Sequence, residues 1–463
     1  MENTTNLSSR KKIRWGFIEP LTGGMALGAE KAIGSAPDWV LSFPGFCNHT
    51  ENEDGTVKSA MNEYHYLMYM KKHGKLPPYM TINRHPFADF TKEQDPWHPE
   101  LIKNDFSTTD TIDLSNTDLV CALPVCSGLS NATTTKNDET RELRNCNMQW
   151  ITKFVLEHIK PKAYIFENAP ALFAGAKGKP IREFIDKTAE AAGYSVTYFK
   201  TDTCLHHNAQ RRPRTFVICW KWTGTEKEMP PVINFERDEI SVKDFFDQMP
   251  AYEQNDEMPL SWCNQNILDY FIHAHPNDYR ELLKERTGFA HIIECGEKDQ
   301  YIEFCKTYQW KNDDPETQEK HRASMIRSIN HAAEKHAVGS WIFDTTTAVI
   351  DDKKKIPSIM HKVTTSKLHP YKDRLLTVGE ILYCMGMPTD YHIYGETCEK
   401  SHQTGQNVPV NTARYIVSEI VRVLNDWEVE RRNTNGNPFF GDNDNVEFVD
   451  NTKQTYSLKP TEK

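Results

Sequence analysis

No run of the roughly 20 apolar residues needed for a membrane helix occurs in this 463-residue chain, so no membrane span is expected. The opening MENTTNLSSRKKIR has no apolar core and is not read as a secretory signal. Paired cysteines are missing too. The 11 cysteines are odd in number and scattered without a CxxC, which points to reduced thiols in a cytoplasmic setting and away from a zinc site. Positive charge is also in deficit: 55 Lys and Arg face 65 Asp and Glu, a net charge of −10. That balance argues against a protein that coats nucleic acid indiscriminately, but it permits a local basic cleft. Charge is indeed uneven, with QRRPR (210–214) and Lys353–Arg374 basic and GDNDNVEFVD near the end acidic. The remainder is 38% hydrophobic and 26% charged, ordinary for a globular protein with room for two or three domains.

Trp15–Glu19 (WGFIE) reads as a first strand, leading through PLTGG into a helix from about Met25. A strand, a glycine turn and a helix start can seat a nucleotide-like cofactor, because glycine admits close approach and the helix offers free N–H groups. A plain β-to-α turn explains Gly23 and Gly24 equally well. Asp38–Pro44 is a plausible second strand and Met61–Lys72 a helix, whereas 74–108 reads as an irregular insertion with one element near Leu101–Phe106. From Asp118 the alternation is regular. The stretch DLVCALPVCSGLS (118–130) starts as a buried strand, breaks at Pro124 and presents Cys126 at the turn. Then follow an amphipathic helix over Asn147–Ile159, a strand Ala163–Phe166 ending in Glu167 and Asn168, a helix Lys179–Ala192 closed by Gly193, and strands at Ser195–Lys200 and Thr215–Trp220. This order implies an α/β fold with a doubly wound, mostly parallel sheet.

The expected domains are a disordered tail (1–12), the first part of a catalytic domain (13–225), a second, smaller domain (226–371), a closing part of the catalytic domain (372–428) and a loose C-terminal tail (429–463). Residues 226–371 lack a β/α period and are read as α+β. Within them His331 and His336 lie in a polar helical run and are taken as a solvated face, so no metal ligands are assigned. In 372–428, Arg374–Cys384 reads as a turn and helix and Asn411–Glu428 as a long amphipathic helix.

Polar residues gather at the strand ends. Cys126 follows one strand, Glu167 and Asn168 end the next, and Arg212 and Arg214 precede a third. Each has a bland explanation: a buried thiol filler, a turn cap, surface charges. Their coincidence in order is the informative feature, because open α/β sheets bind ligands beyond the carboxyl ends of their strands.

PVCSGLS, ENAP and QRRPR, in this order before a variable segment, resemble motifs of the cytosine-C5 DNA methyltransferases. LHPYKDRLLTVGEILYCMGMP (368–388) and GQNVPV (405–410) resemble that family's closing motifs. The resemblance implies a Rossmann-like methyltransferase fold in which 226–371 is the target-recognition domain. It implies that Cys126 is the nucleophile that adds to cytosine C6, that Glu167 holds N3 and the 4-amino group, and that Arg214 with Arg212 holds the base's O2 and the active-site loop. Asn168, Gln210 and Ser130 are implied as further substrate contacts. A thiolate suits this addition, and the target base must leave the duplex to be reached.

The cofactor half departs from the family. Where a Phe-x-Gly-x-Gly-Gly turn is usual, this chain has Glu19, Pro20, Leu21, Thr22, Gly23 and Gly24. No carboxylate marks the end of the second strand at Ser42-Phe43. Val125 replaces a proline before the cysteine, and Gln406 replaces an Asn beside Asn407. Asp105-Phe106 suits the family's Asp-hydrophobe pair. Glu19, Pro20, Gly23, Gly24, Asp105, Phe106, Val125, Gln406 and Asn407 are therefore the expected donor-binding set, with S-adenosylmethionine the implied donor. The alternative donor is 5,10-methylenetetrahydrofolate, which would yield 5-hydroxymethylcytosine and is favoured by a carboxylate at Glu19. Double-stranded DNA is the expected partner and a monomer the expected state. An inactive DNA-binding relic and an RNA methyltransferase of the same fold stay open.

Overall fold

The computed structural model describes residues 12–89, 99–125, 128–129, 138–234, 237–285, 287–311, 313–339, 347–359, 367–426, 446–452 and 455–457. In chain order, β1 (Trp15–Ile18) leads through a tight loop to α1 (Gly24–Ile33) and β2 (Trp39–Ser42). A small hairpin, β3 (His49–Glu51) and β4 (Val57–Ala60), precedes α2 (Asn62–Lys72) and β5 (Tyr79–Ile82). Next come β6 (Leu101–Ile102), β7 (Leu119–Ala122), α3 (Asp138–Phe154), β8 (Ala163–Asn168), α4 (Lys179–Ala192), β9 (Tyr194–Asp202) and β10 (Pro213–Lys221). A helical segment follows: α5 (Val242–Asp247), α6 (Trp262–Ala274), α7 (Tyr279–Glu285), α8 (Gly288–Glu294), α9 (Lys298–Thr307) and α10 (Pro315–Ala337). It ends in the short strands β11 (Ala348–Val349) and β12 (Lys367–Leu368). The chain then adds α11 (Val378–Cys384), α12 (Thr397–Gly405), α13 (Val410–Asn425), β13 (Val446–Asp450) and β14 (Thr455–Ser457).

Ten strands form one sheet in the order β14-β13-β9-β10-β8-β7-β1-β2-β5-β6. From β5 through β2, β1 and β7 to β8 the strands run parallel. The residues of β1, WGFI, and of β7, LVCA, are buried without exception. This is the continuous apolar run expected of a parallel strand covered on both faces. One face is covered by Met25 and Ala29 of α1, Tyr66, Leu67 and Met70 of α2, and Ile416, Val417 and Ile420 of α13. Trp150, Ile151 and Phe154 of α3, with Ile181 and Ile185 of α4, cover the other. The doubly wound α/β sheet read from the sequence is thus the fold.

The last helix completes the first. A Cβ on Gly28 would lie 2.5 Å from the Val410 carbonyl oxygen and 2.6 Å from the Ala413 Cβ, so α1 and α13 pack backbone against backbone.

Four expectations change. The strand β10 runs antiparallel to both β8 and β9. The region 74–108 carries the element expected near Leu101–Phe106 as β6, but it also adds β5 to the sheet, a signal hidden in a run of Pro, His and aromatic residues. The loose tail expected over 429–463 instead supplies β13, which pairs parallel with β9 through Val446–Asp450. Phe448 there stacks on Tyr198 at 4.7 Å, an aromatic anchor that the Asn/Asp-rich surroundings conceal. Finally, the described part of 226–371 is mainly helical, with only the β11–β12 pair as sheet. His331 and His336 are exposed on α10.

Candidate active site

The carboxyl ends of β1, β7 and β8 open on one edge of the sheet, and the antiparallel β10 begins at that same edge. Thr215 is paired with Asn168 and Phe216 with Glu167, so Arg214 stands beside the end of β8. Its Nε lies 2.6 Å from Glu167 Oε1, both side chains being largely buried. Burial raises the Glu167 pKa above the usual carboxyl value, and the charges of Arg214 and then Arg212 pull it part-way back. Asn168 closes this corner. Its Nδ2 reaches the Pro124 carbonyl at 3.4 Å, while its Oδ1 accepts from the Ala169 amide at 2.9 Å. The strand end that carries Glu167 is thereby tied to the loop leading to Cys126. Cys126 and Ser130 themselves lie outside the described residues.

Arg212 and Gln210 are placed differently from the sequence reading. Instead of facing a base, the Arg212 guanidinium is buried and donates to the carbonyls of Ile359 (2.6 Å), Gly405 (3.0 Å) and Asn407 (2.9 Å). Gln210 is fully buried. Its Oε1 accepts from the Ile359 amide at 3.0 Å and its Nε2 donates to the Cys384 carbonyl at 3.2 Å. The QRRPR segment therefore divides: Arg214 serves the sheet edge, while Gln210 and Arg212 bind the chain entering β10 to the segments around 359, 384 and 405–407.

The loop after β1 holds its shape without the first glycine of the family's turn. Glu19 and Leu21 both adopt left-handed backbone, with φ of 57° and 49°, a strained conformation for side-chain-bearing residues. Other segments hold it down. Thr22 Oγ1 donates to the Gln403 carbonyl at 3.0 Å, and Tyr391 OH donates to the Thr22 carbonyl at 2.7 Å. Pro20 accepts from the Gly23 amide at 2.9 Å. Gly23 has φ 86°, and a Cβ there would meet the Tyr66 ring at 2.4 Å. Asn407 Oδ1 accepts from the Gly24 amide at 2.8 Å and from the Val408 amide at 3.0 Å, so it caps the start of α1 rather than pointing into open space. Gln406 is exposed and its Oε1 accepts from Asn62 Nδ2.

Glu19 is wholly buried. Burial and the neighbouring Glu63 raise its pKa well above the carboxyl range, with a 3.4 Å hydrogen bond from Asn147 Nδ2 opposing. The Asn147 Oδ1 accepts the Val125 amide at 2.9 Å. One side chain on α3 thus links Glu19, in the loop after β1, to the residue before Cys126.

Glu63, which the sequence reading passed over, sits in the same interior. Its Oε2 accepts from Tyr79 OH at 3.0 Å. Burial pushes its pKa up to about 8, and Ser42, Tyr79 and Leu21 moderate the rise. Among the described residues, Glu19 Oε2, Asn62 Oδ1, Glu63 Oε1 and Tyr66 OH are buried here without a hydrogen-bond partner. Next to it, Asp105 and Phe106 line a hollow of about 510 Å³ with Cys47, His49, Ser59 and Met61. Phe106 packs edge-on to Tyr64 and Tyr79, joining the hollow to the Glu63 wall. A signal for Glu63 did exist. With Tyr66, Leu67 and Met70 it shares the i, i+3, i+4, i+7 stripe that α2 buries, where a carboxylate is out of place.

The profile of the C-5 cytosine-specific DNA methylases matches residues 90–422 of this chain. The chain belongs to the C-5 cytosine-specific DNA methylase family. It is similar to the type II methyltransferase M.AgeI of Thalassovita gelatinovora, 20% identical over 383 residues that cover 70% of this chain and 86% of that protein. Among solved structures, the Entamoeba histolytica methyltransferase EhMeth superposes with a TM-score of 0.46 at 10% identity, covering 90% of this chain and 99% of that one. The S. pombe Dnmt2 methyltransferase superposes with a TM-score of 0.42 at 13% identity, covering 90% and 100%. As a methylase of this family the chain is a DNA methyltransferase-like enzyme. Among the described residues no helix is long and apolar enough to cross a membrane.

The methylase's buried Glu63 makes its stability depend on pH. The folded chain keeps a proton on this carboxyl up to about 8, whereas an unfolded glutamate releases it near 4.5. Its contribution is fully present below the lower value and is lost as pH rises through the upper one. Glu63→Gln, which mimics the protonated acid, is therefore expected to flatten this loss. Urea midpoints of both proteins across that window check it: the variant should gain on the wild type toward the alkaline end.

Proposed function

We propose that this methylase modifies C5 of a cytosine flipped out of duplex DNA, through a covalent bond between Cys126 and C6, with S-adenosylmethionine as donor. The observation that carries the donor assignment is the Glu63 carboxyl, held beside Ser42 and Leu21 with one oxygen unpartnered. The second strand lacks the acid that this family uses for the ribose hydroxyls, and α2 supplies one at the same place. Unpaired buried polar atoms cost about 1–3 kcal/mol each, so a ligand rich in hydroxyls and amines that satisfies them binds with corresponding gain. Glu63 and Ser42 would hold the ribose, and Asp105 with Phe106 the adenine.

S-adenosylmethionine, when bound, supplies an electrophilic methyl group. The chain's own residues do the rest. The Cys126 thiolate attacks C6, and Glu167, whose burial favours the protonated form, donates to N3 as the ring gains electrons. Arg214 holds Glu167 in place and offers its remaining N–H groups to the base's O2. Asn168 and Asn147 keep the loop carrying Cys126 against the sheet edge. After C5 gains its substituent, a solvent water takes the C5 proton, the thiolate leaves C6 and the N3 proton returns to Glu167, which restores the aromatic ring. Residues 226–371 are proposed as the target-recognition domain, and 13–225 with 372–428 as the catalytic domain.

The buried, raised-pKa Glu19 favours a second reading, because it replaces the stacking aromatic and can hydrogen-bond a pterin. In that case 5,10-methylenetetrahydrofolate is the donor and 5-hydroxymethylcytosine the product. One assay separates the two: the full chain, with Cys126→Ser as blank, is incubated with duplex DNA and each donor, and the DNA is digested for nucleoside mass spectrometry. 5-Methylcytosine with S-adenosylmethionine alone is the expected result. 5-Hydroxymethylcytosine with the folate alone would replace it.

A further inference from the structure

Three side chains of metal-binding type meet in the helical segment, at a place no active-site residue occupies. His275 follows the end of α6, His291 lies in α8 and Glu297 precedes α9. One ligand atom from each lies within 4.8 Å of the other two. Nε2 of His275 is 3.1 Å from Glu297 Oε2. Two donors on one tetrahedral zinc ion stand about 3.3 Å apart for nitrogen and oxygen, given bond lengths near 2.0–2.2 Å. The observed separation is within a few tenths of an ångström of that value.

The surroundings hold the donors in position. His291 is buried and His275 and Glu297 are partly so. The Phe271 ring packs against both imidazoles, at 5.8 and 5.3 Å. Tyr270 OH donates to Glu297 Oε2 at 2.9 Å, the kind of outer hydrogen bond that orients a ligating carboxylate. The backbones are fixed by helix-end hydrogen bonds: Tyr279 N–H to the His275 carbonyl, Cys295 N–H to that of His291, and Glu297 N–H to that of Ile292. An ion pair with Glu297 needs one imidazole, but two converge here.

We propose that His275, His291 and Glu297 bind a divalent transition ion of the zinc type. Two imidazoles with one carboxylate select zinc-like ions over magnesium or calcium. The ion would clamp the ends of α6, α8 and α9. α8 has only 7 residues, well short of the roughly 12–15 at which an isolated helix begins to hold its own. The sequence reading assigned no metal because it looked for paired cysteines, whereas these donors are spread over 22 positions without a recognised spacing.

The test uses the full chain, stripped with chelator, exchanged into zinc chloride and passed through gel filtration before elemental analysis. About one zinc per chain is expected, with a higher melting temperature than the stripped protein. His291→Ala should retain less than about a tenth of that zinc and lose the zinc-dependent rise. If His291→Ala does not fold, Glu297→Gln preserves the contacts of Tyr270 and His275 and should weaken zinc binding at least about tenfold. A wild-type chain that retains no zinc, or variants that retain as much as wild type, would overturn the site.

Discussion

Glu167→Gln is expected to lower kcat about 10²–10⁴-fold while leaving the fold intact. Gln matches Glu in shape and can still accept a hydrogen bond from Arg214, so the corner between β8 and β10 should keep its packing. It cannot deliver a proton to N3. In the proposed mechanism the wild-type carboxyl suits that delivery because burial raises its pKa, with Arg214 and Arg212 drawing it part-way back. A raised carboxyl pKa means the acid form is lost as pH rises, so wild-type kcat should fall on the alkaline side. The Gln variant should lose that limb. Single-turnover rates on duplex DNA across the pH range, beside melting curves, check both parts. Equal rates for the two proteins would remove Glu167 from the chemistry.

Arg212→Met is expected to cost about 3–5 kcal/mol of stability, an effect on folding rather than on turnover. The guanidinium satisfies three carbonyls from two distant stretches, Ile359 on one side and Gly405 and Asn407 on the other. Methionine retains part of the stem's volume but leaves those oxygens unpaired in a buried setting. Soluble yield and urea midpoint report the loss. Were the stability unchanged and only KM for DNA raised, the residue would be facing the substrate after all.

The contrast between these two residues shows where the sequence was legible. The parallel core was plain, because buried strands such as WGFI and LVCA carry unbroken apolar runs and the helix Lys179–Ala192 has Pro180 at its start and Gly193 at its end. The gathering of Glu167 and Asn168 at one sheet edge followed from strand order, whereas Arg214 joins them because β10 runs antiparallel, which the apolar pattern did not show. The direction in which each side chain points did not. Arg212 and Arg214 are two apart at the mouth of a strand, and only tertiary packing turns one inward onto carbonyls 147 to 195 positions away. Glu63 escaped notice for a related reason: a glutamate in the first turn of a helix is ordinarily a solvated partner of the helix dipole. Likewise β13 owes its place to Phe448 and Val449 in a polar stretch too short to show a period.

The grip of Asn407 on the Gly24 amide spans 383 positions. During translation β1, the loop after it and α1 leave the ribosome long before the residues that brace them exist. The nascent amino-terminal half must therefore wait, its first helix lacking a backbone neighbour, until α13 has been made. A chain broken before residue 405 accordingly keeps Ser42, Glu63, Asp105 and Phe106 but loses Asn407 and α13, the braces of its first loop and helix.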